Sequence, residues 1–226
     1  MDFTRFRPDL PELPDPTIKK WNRDLSYGKR FLAANRDDHG YCNVVFGQLI
    51  RMLLNPRSVV DLGAATGYVL APLYQAGVDV LGVDISDSSK AYAEMAAPGL
   101  GERIIYGDLN EPLSLKKRHD VAVCIEVLEH LRPESADIAV RSVCAAADVC
   151  LVTASPGGGT HPNPLHLNEM PFQSYWVPKF EAEGKVISPE ITTAIKVMMR
   201  TLYDLKWYIV PSWFFSGYFA AFVDAD

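Results

Sequence analysis

The chemistry available to this sequence is concentrated in a few acidic residues, one glycine-containing turn and one carboxylate–imidazole segment. The first stretch is Asp61-Leu62-Gly63-Ala64-Ala65-Thr66-Gly67. Glycines placed directly after a buried apolar run let the backbone pass close to a ligand and present free amides at a helix N-terminus. Without a ligand, the same residues make a tight strand-to-helix turn. The spacing is not that of a dinucleotide GxGxxG loop, because Ala65 and Tyr68 stand where the second and third glycines belong. About twenty residues on, Asp84 closes the apolar run Val80-Leu81-Gly82-Val83, and a carboxylate there can accept both hydroxyls of a ribose. Its competing use is as a helix cap, a task Ser86 already suits. A third carboxylate, Asp108 in Tyr106-Gly107-Asp108-Leu109-Asn110, is placed to meet an adenine amino group or to serve as a turn aspartate. Singly these motifs have ordinary structural uses. In this order, at the ends of successive strands, they describe a nucleoside lying across a sheet.

The remaining cluster is Glu126-Val127-Leu128-Glu129-His130. If a helix starts here, Glu126, Glu129 and His130 fall at i, i+3 and i+4 and share one side. Two carboxylates and an imidazole suit a hard or borderline divalent ion such as Mg²⁺, with His166 or else His161 of Thr160-His161-Pro162-Asn163-Pro164-Leu165-His166 as a fourth ligand. His130 read as a general base is the comparable alternative, since imidazole titrates near neutral pH. The polar loop 155–171 reads as a substrate lid. Trp176 beside it is the preferred residue of an aromatic acceptor pocket, within a set (Tyr175, Trp207, Trp213, Phe214, Phe215, Tyr218, Phe219) whose other use is core packing.

These residues must be held by a regular scaffold, and the apolar patterning supplies one. Short apolar runs at 59–62, 78–83, 103–106, 121–125 and 149–154 alternate with helical stretches, the second of them spanning 86–97 and a later one beginning near Leu128. This alternation predicts a mainly parallel sheet covered on both faces. A helix over 189–202 and two closing strands, 207–210 and 218–223, are expected to end the chain as an antiparallel pair at the sheet edge. Ahead of the sheet, 21–54 is helical in pattern, with His39-Gly40 expected to divide it and Asn55-Pro56 to end it. Prolines at 8, 11, 14 and 16 favour an extended arm able to pack on its own domain or on a second copy in a homodimer. The expected division is 1–57 as arm and helical cap, and 58–226 as the cofactor-binding domain.

Composition narrows the class. The 226 residues are 48% hydrophobic and 22% charged, which excludes a predominantly disordered chain. A formal charge of −6 disfavours a broad grip on nucleic-acid phosphates. Cys42, Cys124, Cys144 and Cys150 lack metal-site spacing and read as buried free thiols of a reducing cytoplasm. The N-terminus is too acidic and proline-rich for a signal peptide. The apolar run 213–223 is short of the ~20 residues that span a bilayer. The expectation is a cytoplasmic protein without a membrane segment.

With VVDLGAATGYV (59–69), VLGVDIS (80–86), GDLNE (107–111) and VAVCIEVLEHL (121–131), the chain resembles the class I S-adenosylmethionine-dependent methyltransferases. The resemblance covers roughly 58–155. It implies a doubly wound, mainly parallel seven-stranded α/β sheet with an antiparallel last strand, and S-adenosylmethionine as cofactor. It further implies that Asp61, Gly63, Ala64, Ala65 and Gly67 form the turn at the methionine end. Asp84 and Ile85 would meet the ribose, Asp108 and Leu109 the adenine, and Glu126 the methionyl group. Ala65 departs from the glycine the family often has. By analogy with where such families keep their lids, Trp21, Tyr27 and Lys29 would cap the cofactor. The ExxEH segment is similar to those of metal-assisted ubiquinone-biosynthesis O-methyltransferases and of small-RNA terminal 2′-O-methyltransferases. It also occurs in methyltransferases without metal, where the first Glu serves the cofactor and the His packs near substrate. The expected reaction is methyl transfer to an oxygen or nitrogen of a small-molecule acceptor. The rival readings are a metal-assisted 2′-O-methyltransferase of RNA ends, an NAD-dependent oxidoreductase, and a catalytically silent cofactor-binding module. Methyl transfer is an in-line displacement that needs alignment and water exclusion, and needs a base only when the nucleophile keeps its proton at neutral pH.

Overall fold

The computed structural model describes residues 28–156, 165–204 and 217–225. A long helix, α1 (Lys29–Leu54), precedes β1 (Ser58–Leu62), α2 (Ala71–Gln75), β2 (Asp79–Asp84), α3 (Ser89–Ala96) and β3 (Ile104–Tyr106). Then follow β4 (His119–Cys124), two 3₁₀ turns (Leu128–His130 and Pro133–Ser135), α4 (Ala136–Ala146) and β5 (Ala147–Thr153). A π-type turn (Phe172–Trp176) leads to α5 (Val177–Ala182), β6 (Lys185–Ile187), α6 (Pro189–Asp204) and β7 (Phe219–Asp224).

The seven strands lie in the order β3-β2-β1-β4-β5-β7-β6. The first five are mutually parallel, and β7 runs antiparallel to both β5 and β6. The doubly wound sheet with one reversed strand is as expected. Alternation along the strands sends neighbouring residues to opposite cores. Val59, Val121, Val123 and Leu151 join Cys42, Phe46, Ile50, Leu70 and Met199 on one side. Val60, Ala122, Cys124 and Val152 join Val140, Trp176, Phe180 and Phe222 on the other. Every residue of β1 is buried because both faces are covered, so no polar alternation marks it. All four cysteines are buried and free. No described helix is long and apolar enough to cross a membrane.

Three expectations need correction. First, α1 is one helix through His39-Gly40. The cost of a mid-helix glycine, about 1 kcal/mol, is outweighed by burial of Leu32, Cys42, Phe46, Leu49 and Ile50 along one face. At Gly47 a Cβ would lie 2.2 Å from the Val69 carbonyl oxygen, so glycine there permits close helix–turn packing. Asn55 ends α1 in the left-handed region, φ 45°. Second, the segment after β4 does not begin a continuous helix at Leu128. Pro133 forces Arg132 into extended backbone, φ −64° and ψ 139°, and α4 begins only at Ala136. Third, the sheet-edge partner of β7 is β6, paired Lys185↔Asp224 to Ile187↔Phe222. The segment 207–210, expected in that role, lies outside the described residues, as do the proline arm, Trp21, Tyr27, Trp207, Trp213, Phe214 and Phe215.

Candidate active site

In a sheet ordered 3-2-1-4-5, the strand order reverses between the parallel strands β1 and β4, and ligands bind outside the carboxyl ends of strands at that switch. A cavity of about 380 Å³ lies there. It is lined by Asp61, Gly63, Ala64 and Ala65 after β1, Asp84 and Ile85 after β2, and Asp108 and Leu109 after β3. Glu126 and His130 after β4, together with His166, complete the wall.

The glycine turn is strapped to the end of β2. The amides of Gly63 and Ala64 donate to the Val83 carbonyl at 2.8 and 3.1 Å. Asp84 accepts from the Ala65 amide through Oδ2 at 2.7 Å and from the Ser86 amide through Oδ1 at 2.8 Å. Asp84 therefore carries a structural role alongside its cavity-facing position, since each carboxylate oxygen keeps a second lone pair. Gly63 sits at φ 91°, where an added Cβ would lie 2.3 Å from Val127 Cγ2. Gly67 does not line the cavity; it packs against Ala93 instead, where a Cβ would lie 2.8 Å from that residue's Cβ. Ala65 holds φ 44°, which explains why a glycine would be at home there. Burial, and then the neighbouring Asp84 charge, push the Asp61 carboxyl up to about 8. Burial also raises Asp84, opposed by the two amides that favour its charge. Two desolvated acids side by side favour a ligand bringing hydroxyl donors or positive charge.

Asp108 is both a turn residue and part of the cavity wall. Its Oδ1 accepts from the Asn110 amide (2.9 Å) and side chain (2.8 Å), and Asn110 Oδ1 accepts from the Arg132 amide at 2.9 Å. The roof comes from α1, through Leu32, Asn35, His39 and Asn43. The polar three recur every four residues and so form one stripe. Asn35 Oδ1 lies 3.1 Å from the Thr66 hydroxyl, joining roof to turn. This stripe was not singled out from the sequence, although polar residues at four-residue spacing beside a helix's apolar face were its visible signal. Lys29 does not line the cavity; its carbonyl accepts from the Tyr92 hydroxyl at 3.1 Å.

The segment after β4 is built differently from the expected helix. Glu126 adopts φ 54° and its amide donates to Thr153 Oγ1 at 2.7 Å, so the i, i+3, i+4 helical relation does not hold. The 3₁₀ turn nevertheless brings Glu129 and His130 to His166, with one potential ligand atom from each within 4.8 Å of the others. Glu126 stands outside that trio. Burial raises both Glu126 and Glu129, and the charge of Glu126 raises Glu129 further. Glu126 Oε1 and both Glu129 oxygens are buried without a well-formed hydrogen bond. His130 is pushed down to about 4, first by burial and then by His166, so its ring is neutral at physiological pH rather than titrating there. Trp176, expected in the pocket, is fully buried in the core beside Phe180 and does not line the cavity. Its large apolar ring finds more complete burial beneath the sheet than at a polar crevice. His161 lies outside the described residues.

The chain is similar to known proteins in sequence and in fold. Residues 28–200 match the family model described as methyltransferase domain. The ubiquinone biosynthesis O-methyltransferase of Bordetella avium is 30% identical over 122 residues, 53% of this chain and 47% of that one. That of Methylococcus capsulatus is 36% identical over 105 residues, 45% of this chain and 40% of that one. The chain thus spans about half the length, or less, of these curated relatives. The crystal structure of magnesium protoporphyrin IX methyltransferase from Synechocystis PCC 6803 with bound SAH superposes with a TM-score of 0.56 at 20% identity, covering 74% of this chain and 86% of that one. With a family match running from the cavity roof through the whole parallel half of the sheet to α6, this chain belongs to the methyltransferase-domain family.

Proposed function

We propose that the protein transfers a methyl group from S-adenosylmethionine to an oxygen or nitrogen of a small-molecule acceptor. The observation that carries this reading is one continuous cavity whose floor holds Asp61, Asp84 and Asp108 and whose far wall holds Glu126, His130 and His166. In it, Asp84 receives the ribose hydroxyls on the lone pairs its backbone amides leave open, and Asp108 with Leu109 faces the adenine. The Gly63–Ala65 turn approaches the methionine end, and Glu126 offers its buried carboxylate to the cationic side of that ligand. The acceptor then lies toward His130 and His166, in line with the methyl carbon, and the walls contribute alignment and exclusion of water. The net charge of −6 supports a small acceptor over RNA. The buried free thiols are consistent with a reducing cytoplasm.

The trio Glu129, His130 and His166 fits a divalent cation, because a buried carboxyl group whose oxygens make no well-formed hydrogen bond stands within 4.8 Å of a ring nitrogen from each imidazole. Those three residues would hold the ion, with Glu126 adjacent. When bound, it would lower the pKa of an acceptor hydroxyl. Isothermal titration with S-adenosylhomocysteine and with NAD tests the cofactor; binding of NAD alone would sink the methyltransferase reading. A chelator that suppresses turnover, with recovery on Mg²⁺ or Mn²⁺, tests the ion. Indifference to the chelator would remove it.

A further inference from the structure

His166 has a partner that the cavity alone does not explain: its Nδ1 lies 2.6 Å from Glu169 Oε1. A carboxylate can only accept, so the neutral ring carries its proton on Nδ1 and keeps its lone pair on Nε2. The same logic applies to His130, whose Nδ1 lies 3.1 Å from the Leu165 carbonyl oxygen. The two rings meet edge to face with centroids 4.6 Å apart. Backbone bonds build the approach: the Glu129 carbonyl accepts from the amides of Leu167 (2.8 Å) and Asn168 (2.9 Å), seating the 165–169 segment on the 3₁₀ turn that carries His130.

We infer that Glu169 is a positioning residue that holds His166 in the Nδ1–H tautomer, so that both cavity histidines offer Nε2 as their lone-pair nitrogen. This rests on the cavity being the acceptor and ion site proposed above. Free histidine side chains in water prefer the opposite, Nε2–H form, so the arrangement requires a fixed acceptor at Nδ1 on each ring. The Leu165 carbonyl supplies it for His130, and the Glu169 carboxylate supplies it for His166. A carboxylate in that place also orients the ring and raises the donor strength of Nε2 toward a cation.

The test is long-range ¹H–¹⁵N correlation NMR on the full, metal-free chain, with Mn²⁺ titration followed by electron paramagnetic resonance. In the wild type, His166 should show a pyrrole-type Nδ1 and a pyridine-type Nε2. Glu169→Ala should move His166 toward the Nε2–H form and weaken Mn²⁺ binding about 10- to 100-fold. Glu169→Gln, whose amide oxygen still accepts, should keep the tautomer and recover part of the affinity. A wild-type His166 in the Nε2–H form, or an Ala variant with unchanged His166 shifts, overturns the role of Glu169. A tautomer that responds as expected in a wild type that takes up no Mn²⁺ upholds Glu169 and removes the ion. Thermal melts of both variants confirm that the comparison is made between folded chains.

Discussion

Replacing Asp84 with alanine should damage two things that can be measured apart. Without ligand, its carboxylate satisfies the amides of Ala65 (2.7 Å) and Ser86 (2.8 Å). A buried donor left without its acceptor costs about 1–3 kcal/mol. Two such donors are orphaned, but burial already disfavours the Asp84 charge and its removal returns part of the loss. The net expectation is about 2–4 kcal/mol of folding stability, a large share of the 5–15 kcal/mol typical of a domain. On top of this, the ribose loses a charged acceptor worth about 1.5–3 kcal/mol, or roughly 10- to 150-fold in Kd. Urea denaturation of the ligand-free chain reads the first effect. Isothermal titration with S-adenosylhomocysteine, run where the variant is still folded, reads the second. A destabilised variant with wild-type affinity would mean that the ribose is held elsewhere. A variant of unaltered stability would mean that the carboxylate does not support the glycine turn.

Ala65→Gly should stabilise the chain by about 0.5–1 kcal/mol, because the left-handed φ of 44° costs alanine roughly 1–2 kcal/mol, from which glycine's extra unfolded entropy is subtracted; a urea midpoint that falls would contradict this. Lys185→Met should cost about 2–4 kcal/mol, since the buried ammonium donates to the carbonyls of Ala147 (2.9 Å) and Asp148 (2.7 Å) and pairs with Asp224 at 2.8 Å. Equal urea midpoints would show that those carbonyls find other donors. Asp61 holds its proton up to about 8 in the fold and releases it near 3.8 when unfolded, so between those values the folded chain binds more protons and stability falls as pH rises. Asp61→Asn, a neutral mimic, should flatten that slope in melts recorded from pH 5 to 8; a slope that persists would place its origin in another group.

How far the sequence could be read depends on what each element spends its side chains on. The central parallel strands were visible because both faces are buried: Val59-Val60-Asp61-Leu62 and Val121-Ala122-Val123-Cys124 can be little else. The edge strand Lys185–Ile187 was not, because three residues beginning with a lysine carry no apolar pattern, and the buried Lys185 donates to carbonyls of β5 and pairs with Asp224. Helix extension past Glu126 was overestimated because the periodicity of Leu128, Leu131 and Ala136 continues across Pro133, which breaks the backbone but not the apolar face. The acidic floor of the cavity was legible from spacing. The roof was not, since Asn35, His39 and Asn43 look like the solvent side of an ordinary amphipathic helix until α1 is laid over the turn. Trp176 failed for the converse reason: an aromatic beside a polar loop resembles a pocket residue until the core beneath it is counted.

The two halves of α1 are anchored unequally. From Cys42 onward it buries Phe46, Leu49 and Ile50 in the same core as β1. Toward its start, the hydrogen bonds tying it down include the Thr66–Asn35 and Tyr92–Lys29 contacts. The same helix spans two environments, since its earlier turns carry Asn35, His39 and Asn43 over the crevice. Because Leu32 is also buried at that end, lifting those turns would uncover apolar surface as well as break hydrogen bonds, and packing opposes it. Admission to the crevice is thereby coupled to the packing of the same helix that braces the sheet.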